Sequence, residues 1–241
     1  MLRYSMPLTA EEIRKNIKEI QTRIENACKR SKRDYESVRL IAVSKGVRVE
    51  QILVAYESGI KDFGENYVQE MQEKIELLPK DIKWHFIGHL QTNKIKHLLG
   101  KVNLIQTVYK MEHLLEIEKR YKGDESVQNL LLEVNIGNEP TKSGIRAEDA
   151  TGLVKNSLNF CRLRIIGLMC IPPISEVERV REYFKNLRFL KDCINNSLGK
   201  ELLSELSMGM SSDFEVAIEE GATMVRVGTA IFGERVRGGI K

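Results

Sequence analysis

A single (β/α)8 TIM barrel with an extra N-terminal helix is the α/β fold this chain predicts, with residues 1–241 forming one domain. Three observations carry that reading. Eight short apolar runs alternate with stretches of helical periodicity. The length, 241 residues, suits such a barrel. No Pro-, Gly- or Ser-rich linker, charge block or long internal repeat divides the chain. A doubly wound open sheet is the competing arrangement, weakened because no Gly-x-Gly-x-x-Gly follows the first strand.

The elements follow in order. Thr9 with Glu12 three residues on is a capping-box pattern, and Ile13, Ile17, Ile20 and Ile24 recur behind it at helical spacing. The extra helix therefore precedes the first strand. Val38-Arg39-Leu40-Ile41-Ala42-Val43-Ser44 is a β-branched strand that runs into Lys45 and Gly46. A helix over 49–58 stops at Gly59, Asp62-Phe63-Gly64 is a very short strand, and a helix over 65–78 is closed by Pro79. Trp84-His85-Phe86-Ile87-Gly88 is the third strand, with a helix over about 91–99 ending at Gly100. The fourth strand spans 104–108 and its helix 111–120; the fifth spans 130–136, with a polar loop to Gly144 and a helix over 147–157. The sixth strand, 163–169, is stopped by Pro172-Pro173 and followed by a helix over 176–193. A seventh strand over 202–208, a helix over 213–220 and an eighth strand over 223–228 complete the count.

Composition narrows the function classes. Hydrophobic residues at 42% and charged residues at 30% suit a globular chain with a sizeable core. No stretch approaches the roughly 20 apolar residues of a membrane helix, and Met1-Leu2-Arg3-Tyr4-Ser5 lacks an apolar leader segment, so a cytoplasmic address and no membrane partner are expected. Cys28, Cys161, Cys170 and Cys193 have no framework spacing and read as reduced thiols. A net charge of +4, with acidic and basic residues interleaved, does not imply nucleic acid. The local basic run Lys94-Ile95-Lys96-His97 reads as the wet face of a helix.

The chemistry gathers at strand ends, where barrels carry their sites. Lys45 stands at the C-terminal lip of the first strand. An amine held there, partly shielded from water, loses part of its preference for the charged form and becomes a nucleophile towards an aldehyde. Ser207-Met208-Gly209-Met210-Ser211-Ser212-Asp213 follows the seventh strand, and Gly228-Thr229-Ala230-Ile231-Phe232-Gly233 follows the eighth. Each turn alone is an ordinary helix start; together, after strands seven and eight, they suit a phosphate. Arg226 lies two residues before Gly228 and shares its face, opposite Val225 and Val227. Inside a barrel its charge must be paired. A salt bridge to a strand carboxylate such as Glu133 is one solution, and a ligand's ring nitrogen is the other. A lysine and a phosphate turn at strand ends suggest pyridoxal phosphate (PLP). His85 and His89 are four apart, but Gly88 intervenes and no third ligand is near, so no metal site is expected. Cys170 reads as a small buried hydrophobe.

Six ordered motifs carry a resemblance. They are Ala42-Val43-Ser44-Lys45, Phe63-Gly64-Glu65-Asn66-Tyr67, the run from Trp84 to Lys94, Gly167-Leu168-Met169, the run from Leu206 to Asp213, and the run from Arg226 to Gly233. Over about residues 8–235 the chain closely resembles the pyridoxal phosphate homeostasis proteins. The resemblance implies a barrel like the N-terminal domain of alanine racemase, with Lys45 holding the cofactor as an internal aldimine. It implies Arg226 at the ring nitrogen and Ser211, Gly228 and Thr229 at the phosphate. Asn66 and His85 would line the pocket near the ring, and Met210 would add a backbone contact.

Two functions remain open. One is a carrier that holds PLP and influences its supply to PLP-dependent apo-enzymes, on which it also has the option of docking as a regulatory partner. The other is an amino-acid racemase or related PLP enzyme. Related racemases add a β-rich second domain with an acid/base tyrosine; the end of this chain, soon after the last motif, leaves no room for it. The second acid/base of a racemase would have to be sought among Tyr67, His85, His89 and Tyr109. The expectation is a monomeric carrier with no catalytic residues.

Overall fold

The computed structural model describes residues 8–122 and 127–234. The N-terminal stretch examined for a leader and the tail over 236–241 lie outside the described residues. Eight parallel strands close into a barrel in sequence order: β1 (Arg39–Val43), β2 (Asp62–Glu65), β3 (Lys83–Phe86), β4 (Leu104–Val108), β5 (Gln128–Glu133), β6 (Leu163–Met169), β7 (Glu205–Ser207) and β8 (Met224–Val227). β1 pairs with both β2 and β8 and seals the barrel. The expected fold class and its extra helix are both present.

That helix, α1 (Ala10–Arg30), begins as expected: the Thr9 hydroxyl accepts from the Glu12 N–H while the Glu12 carboxylate accepts from the Thr9 N–H. Two donors that a helix start leaves unpaired are thereby satisfied. Ile13, Ile17, Ile20 and Ile24 are buried along one stripe, which covers the β8–β1 side of the barrel by packing on α2 (Val49–Glu57), α7 (Phe214–Glu219) and α8 (Thr229–Phe232). The remaining helices are α3 (Val68–Leu77), α4 (Met111–Arg120), α5 (Ala147–Ser157) and α6 (Val177–Leu198).

The strands read as near-continuous apolar runs because most bury both faces. The outer face packs against the helices, with Phe63, Phe86, Leu132, Val225 and Val227 in that layer. The inner face holds a small apolar cluster, Ile41, Leu104, Leu131, Met169 and Met224. Gly167 makes room where β6 meets β7: a Cβ there would lie 2.0 Å from the Glu205 carbonyl oxygen.

Boundaries differ where local signals were weak. The stretch after β3 is a 3₁₀ helix over Thr92–His97, not an α-helix. Its apolar anchors, Ile95 and Leu98, are three residues apart and suit the tighter repeat. α6 runs on through Asn195, Asn196 and Ser197, poor helix formers, to Gly199 at φ +66°. Asn195 repays that weakness through tertiary bonds: its amide donates to the Leu203 carbonyl and accepts from the Leu202 and Leu203 N–H groups. β7 shrinks to three residues, and α8 forms from what read as a turn.

Because α1 is attached through one buried stripe, Ile17→Ala is expected to lower stability by about 2–5 kcal/mol, the usual range for truncating a buried isoleucine. Urea unfolding of the purified variant checks this. A loss below about 1 kcal/mol would mean that the stripe is not part of the cooperative core.

Candidate functional site

Lys45, Asn66, Ser211, Gly228 and Thr229 follow the last residues of β1, β2, β7 and β8. Those four strands are neighbours in the order β7-β8-β1-β2, so the fold brings the five residues to one side of the C-terminal mouth. Lys45 is half-buried, and Gly46 beside it turns at φ +69°. The Ser211 hydroxyl accepts from the Ala230 N–H at 3.4 Å, which ties the loop after β7 to the start of α8. Gly209 allows that loop its path: it adopts φ +92°, and a Cβ would lie 2.6 Å from Ala217 Cβ. The Met210 N–H is engaged by Asp213 Oδ1 at 2.6 Å, and its carbonyl accepts from the Asp213 and Phe214 N–H groups. Its backbone thus holds the loop together.

A buried ionic clamp brackets Lys45. The Lys74 ammonium, on α3, donates to the Ser44 carbonyl (2.6 Å), Glu65 Oε1 (2.7 Å) and Glu70 Oε1 (2.7 Å). The Ser44 hydroxyl donates to the same Glu65 oxygen at 2.7 Å, and the Gly46 N–H donates to Glu70 at 2.5 Å. Both residues flanking Lys45 are therefore pinned. Burial pushes the Glu65 carboxyl up from its ordinary value, and the Lys74 charge works against that push. The sequence quoted Glu65 only as part of a motif. The Glu70–Lys74 i,i+4 spacing was the available signal for the rest.

Arg226 points into the barrel, as its position on β8 required, and is 4% exposed. Its guanidinium donates to Ser207 Oγ at 2.6 Å and to the Cys170 carbonyl at 2.8 Å. Burial presses its ordinary value down, while Cys170, Asp213 and Glu133 press it up. The Cys170 thiol itself is pushed by burial up to about 12, so it stays protonated as the small buried hydrophobe expected.

From Ser207 a hydrogen-bonded chain continues. The Ser207 hydroxyl donates to Gln106 Oε1 (2.6 Å), Gln106 Nε2 lies 3.1 Å from His85 Nδ1, and His85 Nε2 lies 2.8 Å from Asp62 Oδ1. His85 is thus a buried member of an interior network, with both ring nitrogens engaged. His89 goes elsewhere, to Ser143 Oγ at 2.9 Å, so the two histidines have separate partners. Of the other acid/base candidates, Tyr67 is 63% exposed, and Tyr109 packs edge-on to His113. Burial holds His113 at about 4.

Among the buried oxygens without a hydrogen-bond partner in the described residues, Glu65 Oε2, Asn66 Oδ1 and Glu133 Oε2 belong to C-terminal strand ends. Buried acceptors normally find donors. Asn66 is also approached closely: a Cβ on Gly88 would lie 2.0 Å from its backbone oxygen, so glycine lets the chain after β3 pass beside it. Unpaired acceptors beside a half-buried lysine, two hydroxyls and a buried guanidinium fit an anionic aromatic ligand that carries its own donors.

Glu133 yields a pH prediction. Burial, only partly opposed by Arg226, raises its carboxyl from 4.5 to about 7. The folded chain then binds this proton more tightly than the unfolded chain. The linked stability is full below about pH 4.5 and is lost as pH rises through 7. Glu133→Gln is therefore expected to gain on the parent as pH rises, by on the order of 2–3 kcal/mol at pH 8. Urea unfolding of ligand-free protein at pH 5 and pH 8 measures it. A variant-to-parent difference that stays flat with pH would contradict a raised Glu133.

Comparison with known proteins agrees with this fold. The family model described as "Alanine racemase, N-terminal domain" matches residues 9–236. The pyridoxal phosphate homeostasis protein of Aquifex aeolicus is 47% identical over 215 residues, covering 88% of this chain and 94% of that protein. Among solved structures, PipY of Synechococcus elongatus with PLP bound superposes with a TM-score of 0.79 at 31% identity, covering 92% of this chain and all of that one. Alanine racemase of Clostridium difficile, at 15% identity and a TM-score of 0.71, shares the fold over 95% of this chain and 59% of its own. The chain belongs to the alanine racemase N-terminal domain family and, within it, to the pyridoxal phosphate homeostasis proteins.

Proposed function

We propose that this protein binds PLP at the C-terminal mouth of its barrel, holds it covalently through Lys45, and serves as a carrier in intracellular PLP homeostasis. The observation that carries the reading is the convergence of Lys45, Asn66, Ser211, Gly228 and Thr229 on four adjacent strand ends, in a family whose relative PipY has been solved with PLP bound. In this reading the Lys45 amine condenses with the cofactor's aldehyde, and the Ser44–Gly46 clamp limits where that amine can go. Ser211, Gly228 and Thr229 receive the phosphate, and Asn66 offers its unpaired oxygen near the ring. Arg226 donates to the ring nitrogen.

When bound, PLP withdraws electrons from a carbon attached to a linked amine, most strongly when its ring nitrogen is protonated. A guanidinium does not readily give up its proton, so Arg226 holds that nitrogen largely unprotonated. A carboxylate there would do the opposite. The relatives named for homeostasis rather than for a reaction, such as that of Aquifex aeolicus, favour the same conclusion. Release of PLP to apo-enzymes in the cytoplasm, from a monomer, completes the proposal.

Borohydride reduction of the PLP-loaded protein followed by peptide mapping is expected to place the added mass on the peptide containing Lys45. Pyridoxal, which lacks the phosphate, should label it only weakly at equal concentration. Label confined to another lysine, or equal labelling by the two compounds, contradicts the site.

The carrier reading has its own test. Loaded protein incubated with L-amino acids in heavy water is expected to give no net change in chirality and no amine release. Turnover near about 1 s⁻¹, the low end for ordinary enzymes, that disappears in Lys45→Ala would establish an enzyme instead.

A further inference from the structure

We propose that Asp62, His85, Gln106 and Ser207 are positioning residues for Arg226, linked in one polarised hydrogen-bond relay that fixes the guanidinium for its ring-facing role. The proposal rests on the placement of Arg226 in the preceding section.

The polarity follows from chemistry. A guanidinium only donates, so Ser207 Oγ accepts from Arg226 and its own proton goes to Gln106 Oε1. The Gln106 oxygen is then committed, so its amide nitrogen faces His85 and donates to Nδ1. His85 Nδ1 therefore carries no proton, and its Nε2–H donates to Asp62 Oδ1. The carboxylate, an acceptor, closes the series. These directions form one self-consistent set for a neutral imidazole, and the two ends are of opposite charge.

The relay draws on β8, β7, β4, β3 and β2, and all five side chains are buried. Its ends meet the same neighbour: Ile41 on β1 is the register partner of Arg226 on one side and Asp62 on the other. The rest of the inner cluster is apolar. Filling a barrel does not need five polar residues, since apolar side chains of similar volume close a core without the desolvation penalty. Fixing a buried cation does need them. The Cys170 carbonyl holds the guanidinium at one N–H, and Ser207 alone, a hydroxyl free to rotate, would leave the other poorly oriented. With Gln106, His85 and Asp62 behind it, the hydroxyl has one allowed direction.

Histidine-selective ¹⁵N NMR of the cofactor-free protein tests the relay without reference to PLP. His85 is expected as the Nε2–H tautomer in the parent. It should stay so in Asp62→Asn, because the Arg226 end alone still sets the polarity. In Asp62→Asn/Ser207→Ala neither end sets it, and a tautomer mixture should appear. A mixture already present in Asp62→Asn, or an unchanged tautomer in the double variant, overturns the relay. On loaded protein, Ser207→Ala is expected to weaken PLP binding by at least about tenfold, in keeping with loss of one hydrogen bond to a charged group, and to move the cofactor's absorption maximum. Ser207→Thr, which keeps the hydroxyl, should restore both. An unmoved affinity and maximum in Ser207→Ala overturn the positioning role even if the tautomers behave. Arg226→Gln with unaltered PLP affinity would instead remove Arg226 from the cofactor, and the tautomer experiment would still decide the relay.

Discussion

A guanidinium inside a closed barrel is the constraint from which most of this interior follows. Arg226 cannot readily shed its charge and is only 4% exposed, so the barrel must supply acceptors with the right polarity. Ser207 and the Cys170 carbonyl do so directly. Gln106, His85 and Asp62 follow because each acceptor also has a proton or lone pair to place. The same charge favours ionisation of Glu133, though not enough to overcome its burial. The inner apolar cluster is correspondingly small, and fold stability leans on the outer layer between strands and helices, where α1 adds its isoleucine stripe.

The mouth is organised by a second buried charge of the same sign. Lys74 is compensated by two carboxylates and a carbonyl, and those partners are the ones that fix Ser44 and Gly46. Such clusters contribute little net stability, since desolvation offsets most of the attraction. Their effect is geometric. The backbone on both sides of Lys45 is held by bonds from β2 and α3 in addition to its own turn, which the Val47 N–H closes onto the Ser44 carbonyl, so the orientation of that loop depends also on the docking of a neighbouring helix. On β8 the arrangement is analogous, with Gly209 accepting the Arg226 N–H and thereby tying the loop after β7 to the strand beside it.

Features with a local cause were legible in the sequence. The capping box at Thr9, the isoleucine spacing of α1 and the helices over Met111–Arg120 and Ala147–Ser157 depend on neighbours a few residues away. The inward direction of Arg226 followed from strand alternation alone. What it would meet did not, because Ser207, Gln106 and Asp62 are separated from it by 19 residues or more and only barrel closure brings them together. His85 shows the same limit: its motif marked it as important, yet its partners lie on β2 and β4, where only barrel closure brings them. The bond from the Met210 N–H was illegible for a different reason. Its partner, Asp213, is only three residues away, but an Asx-type bond to a backbone N–H is one of several such turns permit.

The two buried cations, in the reading proposed above, let one barrel hold a reactive aldehyde without using it. In the proposed reading Lys45 provides the attachment and Arg226 limits the electron withdrawal that attachment would otherwise make available. Had the ring partner been a carboxylate, the bonds from Ser207 through Gln106 to His85 would run the other way, while Asp62 would still accept from His85 Nε2. Two acceptor ends are joined only by an imidazolium, which donates from both ring nitrogens. Conversion to a strong electron sink would therefore require more than replacing Arg226; His85 would have to carry a charge and the Gln106 amide would have to turn with it.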